Sequence, residues 1–253
     1  MKLAFYDSGL GGLSVLKVFL ENLMKDYPAH LNLECFYIAD TLRAPYGARS
    51  EEDLKSYVYD FAHFADNKEA DFFISACNTS SNLFEDLDLS IYNFKSLNLF
   101  AAMQNFFNSD QAKKYIYLAT EANIKSKKFL NWRENIIPIA CPKIVPLIEE
   151  EKNEEAVNMI LHEYLNRLEL DRETKIILGC THYALLENDL KKKLDTPLVN
   201  PAKALYDLFK LENIESFIES SLKKSNFKIN AYSTSLNSPL TVAIKELTLS
   251  IEI

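Results

Sequence analysis

Glycine is scarce in this chain, with five among 253 residues, where an average usage of roughly 7% would give about 18. A chain so short of glycine keeps it where only a residue without Cβ will serve, at positive φ or where backbone must approach another group closely. Gly9, Gly11, Gly12, Gly47 and Gly179 therefore nominate three segments: Asp7-Ser8-Gly9-Leu10-Gly11-Gly12, Pro45-Tyr46-Gly47 and Gly179-Cys180-Thr181-His182. A basic excess is missing too. Lys and Arg number 28 against 36 Asp and Glu, a net charge of −8, whereas a nucleic-acid partner requires a basic footprint that releases counterions. The longest uncharged run, Ile229 to Ile244, is rich in Ser, Thr and Asn and predicts no transmembrane helix. The four cysteines show neither framework spacing nor a Cys-x-x-Cys pair, and no apolar stretch near the N-terminus reads as a signal peptide. These absences predict a soluble, cytoplasmic protein with free thiols.

With 48% hydrophobic and 25% charged residues, the composition is that of a globular protein with a proper core. Lys2–Tyr6, Leu33–Ala39, Ala70–Ala76, Tyr115–Ala119, Ile136–Ala140 and Lys175–Gly179 read as strands. Between them lie helical patterns such as Leu13–Met24 and the segment after Ser50, where Ser50 and Asp53 form a variant capping box. The alternation predicts an α/β fold with mainly parallel sheets.

Two of these segments echo each other: Asp71 to Thr79 and Thr174 to His182 each run from an apolar strand through a small residue to Cys and then to polar residues. Two similar α/β halves, each with a cysteine at a strand's carboxyl end, would account for the echo, because ligands of open α/β sheets bind beyond those ends. A phosphatase-type Cys with Arg six positions on is excluded by Leu83 and Leu186, and zinc wants closer ligand pairs. A nucleophile–base pair of Cys180 and His182 stays open, although residues two apart on a strand-to-helix turn rarely face each other. Two thiols on opposite sides of a small molecule suit removal of a proton from one face of a carbon and its return on the other. Such a thiol needs help to ionise, which a helix N-terminus supplies, with Asp7 and His182 as proton-handling companions. Ser8, Asn78, Thr79 and Thr181 offer donors for a carboxylate, and Asp7 a partner for an ammonium. Cys35 and Cys141 read as core thiols, His30, His63 and His162 as structural or surface residues, and Glu149-Glu150-Glu151-Lys152 as a solvated helical face.

Asp7-Ser8-Gly9-Leu10-Gly11-Gly12, Pro45-Tyr46-Gly47, Ala76-Cys77-Asn78-Thr79-Ser80-Ser81, Cys141-Pro142-Lys143-Ile144-Val145-Pro146-Leu147-Ile148-Glu149 and Gly179-Cys180-Thr181-His182-Tyr183, in this order, resemble glutamate racemase. The resemblance implies a cofactor-independent two-base isomerase of two pseudo-symmetric α/β domains, residues 1–97 with 208–253 and residues 98–207, with the active site in the cleft between them. It implies Cys77 and Cys180 as the catalytic thiols, Asp7 and His182 as their assistants, and Ser8, Pro45, Tyr46, Gly47, Asn78, Thr79, Thr120 and Thr181 as residues that hold the amino-acid substrate. It further implies a homodimer and a D-glutamate product that feeds peptidoglycan synthesis.

The chain departs from the family at several places. Ala119-Thr120 stands where a Gly-Thr turn is usual, Asn123 where a substrate-side Thr is usual, and Ser235-Leu236-Asn237 where a Gly-Asp turn is usual; a Val-Ile-Glu-Pro-like segment is missing around Leu97 to Gln104. Asn123 is expected to reshape the pocket around the side-chain carboxylate. Two alternatives accompany the glutamate reading: a racemase for aspartate or another acidic amino acid, and an amino-acid-binding or regulatory protein that has lost turnover.

Overall fold

Short apolar runs bounded by polar turns form nine strands among the described residues: β1 (Lys2–Asp7), β2 (Asn32–Ala39), β3 (Phe72–Ser75), β4 (Lys95–Asn98), β5 (Lys114–Ala119), β6 (Ile136–Ala140), β7 (Thr174–Gly179), β8 (Leu198–Val199) and β9 (Asn226–Ser233). The computed structural model describes residues 1–27, 32–131, 133–212, 214 and 226–234. The six strands expected from sequence are all present, each within two residues of its expected ends. Strands β4, β8 and β9 carry no run of apolar residues that would mark them, and they are found only in the fold.

Two sheets result. The first has the order β4-β3-β1-β2-β9 and the second β6-β5-β7-β8, and every pairing in both is parallel. The inner strands β1, β3, β5 and β7 are buried almost from end to end, as parallel strands covered on both faces are. The first four strands of each sheet follow one scheme: the second strand pairs on one side of the first, the third on the other, and the fourth beyond the third. The echo between the two cysteine segments is therefore a repeat of topology, since Cys77 follows the third strand of one sheet and Cys180 the third strand of the other. The extra strand β9 lies against β2 from Asn32↔Asn226 to Ala39↔Ser233.

The chain divides into two compact units, Met1–Ala102 with Ala202–Ile253, and Met103–Pro201. In the first, α1 (Gly12–Asp26) buries Leu16, Phe19, Leu20 and Leu23, and α2 (Glu51–Asn67) is capped by Ser50, whose hydroxyl accepts from the Asp53 N–H at 3.1 Å and donates to the Asp53 carboxylate at 2.7 Å. Each buried aliphatic or aromatic side chain stabilises by about 1.5–3 kcal/mol, and the rings concentrate here: Tyr6 stacks between Phe61 and Phe73 at centroid distances of 5.1 and 5.3 Å. Where the family's Val-Ile-Glu-Pro-like segment is missing, Asn98 Oδ1 accepts from the Ala101 N–H at 2.8 Å, an N-cap that starts the helix Leu99–Ser109. The second unit has its own core, in which Ile116, Leu118, Ile144, Ile176 and Leu178 are fully buried. No helix of the described residues is long and apolar enough to cross a membrane. Ser235, Leu236, Asn237 and His30 lie outside the described residues.

Candidate active site

In the first sheet, β1 ends at Asp7, β2 runs into Asp40 and β3 runs through Ala76 into Cys77, so all three side chains sit at the carboxyl edge. Asp7 is buried, and its Oδ2 accepts from the backbone N–H groups of Gly9 at 3.2 Å and Gly12 at 2.8 Å. A Cβ on Gly12 would lie 2.4 Å from Asp7 Cβ and 2.7 Å from Tyr37 Oη, so the glycine is required by close approach. No glycine has a positive φ. Of the two reasons expected for keeping a glycine, positive φ or close approach, it is close approach that holds, at Gly12 and Gly179, whereas a Cβ at Gly9 would face open space.

The Cys77 thiol donates to Ser8 Oγ at 3.8 Å and is almost fully buried. Burial first, and the neighbouring Asp7 carboxylate second, push its pKa up to about 12. The helix it precedes, Asn78–Ser81, is a single turn, and burial together with Asp7 favours the thiol over the thiolate. Beneath it lies a hydroxyl network. Tyr6 Oη donates to Ser80 Oγ at 2.6 Å, Ser81 Oγ donates to Ser75 Oγ at 3.1 Å, and the Ser75 and Ser80 hydroxyls each donate to the Cys77 carbonyl at 3.4 Å. Asn78 and Thr79 occupy the first two positions of that turn and are half-buried.

The Pro45-Tyr46-Gly47 segment is held by a buried carboxylate that was not singled out in the sequence. Asp40 Oδ2 accepts from Arg43 Nε and Tyr46 Oη, both at 2.6 Å, and its Oδ1 from Thr234 Oγ1 at 2.9 Å. The Arg43 guanidinium also reaches Asp60 at 2.6 Å and lies 4.1 Å above the Tyr57 ring. With its ring buried and its hydroxyl donated to Asp40, Tyr46 can offer a ligand only backbone, whereas Pro45 and Gly47 are exposed. Asp-x-x-Arg-x-x-Tyr is the signal by which this hub could have been found.

In the second unit, β7 ends at Gly179, and Cys180 precedes the 3-10 turn Thr181–Leu186. Cys180 Sγ lies 3.9 Å from His182 Nδ1. Residues two apart do face each other here, contrary to expectation, because the tight turn brings the ring back over the strand end. The other ring nitrogen, His182 Nε2, is 3.5 Å from Glu149 Oε1, and contact with His182 holds the Glu149 carboxyl below its ordinary range. Glu149 stays on the solvated face expected for the charge run, its side chain 63% exposed, and from there one carboxylate oxygen reaches His182. Thr181 is buried. Thr120 caps the helix Glu121–Ser126 by accepting from the Asn123 N–H at 3.4 Å, and Asn123 Nδ2 donates to the Gly179 carbonyl at 3.2 Å.

The remaining thiols are core residues, as expected: Cys35 and Cys141 are fully buried and burial drives both pKa values up, that of Cys141 to about 12. Among the described residues no three His, Cys, Asp or Glu side chains gather as a metal site.

The glutamate racemase of Aquifex pyrophilus is 32% identical to this chain over 216 residues, covering 81% of this chain and 80% of the relative. The chain belongs to the glutamate racemase family. The family member from Hydrogenobaculum sp. (strain Y04AAS1) is 35% identical over 205 residues, 76% of this chain and 74% of the relative. No family model matches the chain. The crystal structure of the family member from Campylobacter jejuni subsp. jejuni has the same fold, with a TM-score of 0.75 at 25% identity over 100% of this chain and 99% of that one. Family membership makes the chain an isomerase of the amino-acid racemase class.

Proposed function

We propose that the chain interconverts L- and D-glutamate with Cys77 and Cys180 on opposite faces of the substrate Cα. The observation that carries this reading is the repeated strand-to-cysteine arrangement, in which each sheet presents one thiol after its third strand beside a proton-handling group: Asp7 in one unit, His182 in the other. In one direction the Cys180 thiolate removes the Cα proton and the Cys77 thiol delivers its own to the other face. Cys77 begins that direction in the state its surroundings favour. In the reverse direction it must ionise, and an ammonium placed beside Asp7 would offset the carboxylate that now disfavours the thiolate. His182, oriented by Glu149, is the proton partner of Cys180. The donors of Ser8, Asn78, Thr79, Thr120 and Thr181, with the backbone of Pro45-Tyr46-Gly47, hold the two carboxylates. No cofactor enters this scheme. By resemblance to its family, the protein works in the cytoplasm as a homodimer and supplies D-glutamate for peptidoglycan.

The test is solvent deuterium incorporation at Cα of each glutamate enantiomer, followed by proton NMR. Wild type is expected to wash out the Cα–H signal of both, and Cys77→Ala and Cys180→Ala to lose interconversion. No exchange by the wild type, or full interconversion in either variant, overturns the two-thiol reading; exchange of aspartate but not glutamate reassigns the substrate.

A further inference from the structure

Gly179, the residue before Cys180, is gripped from two sides. The Tyr117 ring of β5 lies so close that a Cβ at 179 would be 2.1 Å from Tyr117 Cε2. Asn123 Nδ2 donates to the Gly179 carbonyl at 3.2 Å, a hydrogen bond across 56 residues of chain made by a side chain that is only 2% exposed. The pair Ala119↔Gly179 is the last rung of the β5–β7 ladder, and the Asn123 amide adds one more hydrogen bond just beyond it. That carbonyl belongs to the peptide whose nitrogen is Cys180's own. A rotation of this peptide therefore turns Cys180 directly, with no flexible side chain in between to absorb it.

We propose that Asn123, which stands where the family resemblance leads one to expect a substrate-side Thr, is the positioning residue for the Cys180 thiol, so that this chain fixes its second base through a side-chain amide. The inference rests on the two-thiol reading above. A threonine hydroxyl is shorter than the Asn amide by one heavy atom, so it cannot span the same gap from the same backbone position. Loss of the bond leaves the Gly179 carbonyl buried and short of a donor, and the peptide then turns to find another. Displacements of about 1 Å in a reacting group cost on the order of 10²-fold in rate.

A racemase has an equilibrium constant of one, so kcat/KM falls equally in both directions whichever base is misplaced, and rates alone do not locate the fault. Isotope effects do. If the Cys180 step is slowed, the primary deuterium effect of [2-2H]glutamate rises for the enantiomer whose Cα–H Cys180 removes. It falls toward one for the other enantiomer, whose deuterium has already left to Cys77 before the slow step. Slowing the Cys77 step gives the opposite asymmetry, and a simple loss of folded protein moves neither value.

The experiment measures kcat/KM and primary isotope effects in both directions for wild type, Asn123→Thr and Asn123→Ser, beside Cys180→Ser and Cys77→Ser as references for the two asymmetries. Thermal unfolding identifies which Asn123 variant is folded, the smaller Ser serving if Thr is not. The expected result is a ten- to hundred-fold loss of kcat/KM with the Cys180→Ser asymmetry. Unchanged isotope effects, or the Cys77→Ser asymmetry, overturn the role of Asn123 and leave the racemase reading standing. Absence of Cα exchange by the wild type overturns both.

Discussion

Asp7 and Gly12 are fitted to each other: the Gly12 N–H donates to Asp7 Oδ2 at 2.8 Å, and the space a Cβ on residue 12 would need is filled by Asp7 Cβ, 2.4 Å away, and by the Tyr37 hydroxyl. Gly12→Ala must therefore displace the carboxylate, the tyrosine or the start of α1. Overpacking of this kind costs about 1–3 kcal/mol, and moving Asp7 away from Cys77 is expected to lower kcat/KM by roughly 10²-fold. Thermal unfolding and steady-state racemisation check this. An alanine variant with wild-type stability and rate would mean that the crowding is relieved without moving Asp7.

Much of this was legible in the sequence because glycine scarcity made each glycine informative and because parallel strands covered on both faces are apolar from end to end. The strand–Cys–polar segments around Cys77 and Cys180 were readable for the same reason. Strands β4, β8 and β9 were not: Lys95–Asn98 and Leu198–Val199 are short and polar or too brief to carry a period, and Asn226–Ser233 is set by pairing with β2, not by its own pattern. Asp40 and Glu149 escaped for a different reason. Their importance lies in partners, Arg43 and Tyr46 for one and His182 for the other, and only the Asp40 partners are near in sequence. The opposing pull on Cys77 was not legible, because a helix terminus is visible in the sequence whereas burial and the proximity of Asp7 are tertiary.

Asp40 is fully buried and accepts from Arg43, Tyr46 and Thr234. Asp40→Asn keeps the shape but replaces one acceptor oxygen with a donor that faces other donors. The expected cost is about 1–3 kcal/mol, the penalty of an unsatisfied buried polar group. With Pro45-Tyr46-Gly47 released, KM for glutamate should rise more than kcat falls. Urea unfolding and substrate titration test the two parts separately; a fall in kcat at constant KM would place Asp40 in the proton transfers.

Glu149 meets His182 Nε2 at 3.5 Å while His182 Nδ1 faces Cys180. Because the carboxylate is largely exposed, solvent screens the pair, and Glu149→Gln is expected to cost only about tenfold in kcat/KM. The contact with His182 holds the Glu149 carboxyl below its ordinary value, so His182→Asn should move its titration upward, toward about 4.3. Carbon-13 NMR of the labelled carboxyl reads this directly. An unmoved titration would show that His182 does not govern Glu149.

Cys77 is held as a thiol, its pKa pushed up to about 12 by burial and by Asp7, whereas the unfolded chain releases the same proton near pH 8.5. Between these values the folded state binds more protons than the unfolded state, so raising the pH favours unfolding. The contribution is fully present below about pH 8.5 and is lost as pH rises toward 12. Cys77→Ser removes the titration from both states, since a serine hydroxyl does not ionise in this range. Without substrate, the unfolding midpoint of the wild type should fall more steeply from pH 9 to pH 11 than that of Cys77→Ser. Cys35 and Cys141, whose pKa values are also raised by burial, keep some slope in the variant. Parallel curves would mean that Cys77 ionises in the folded protein as readily as in the unfolded chain, and that burial and Asp7 do not hold its proton.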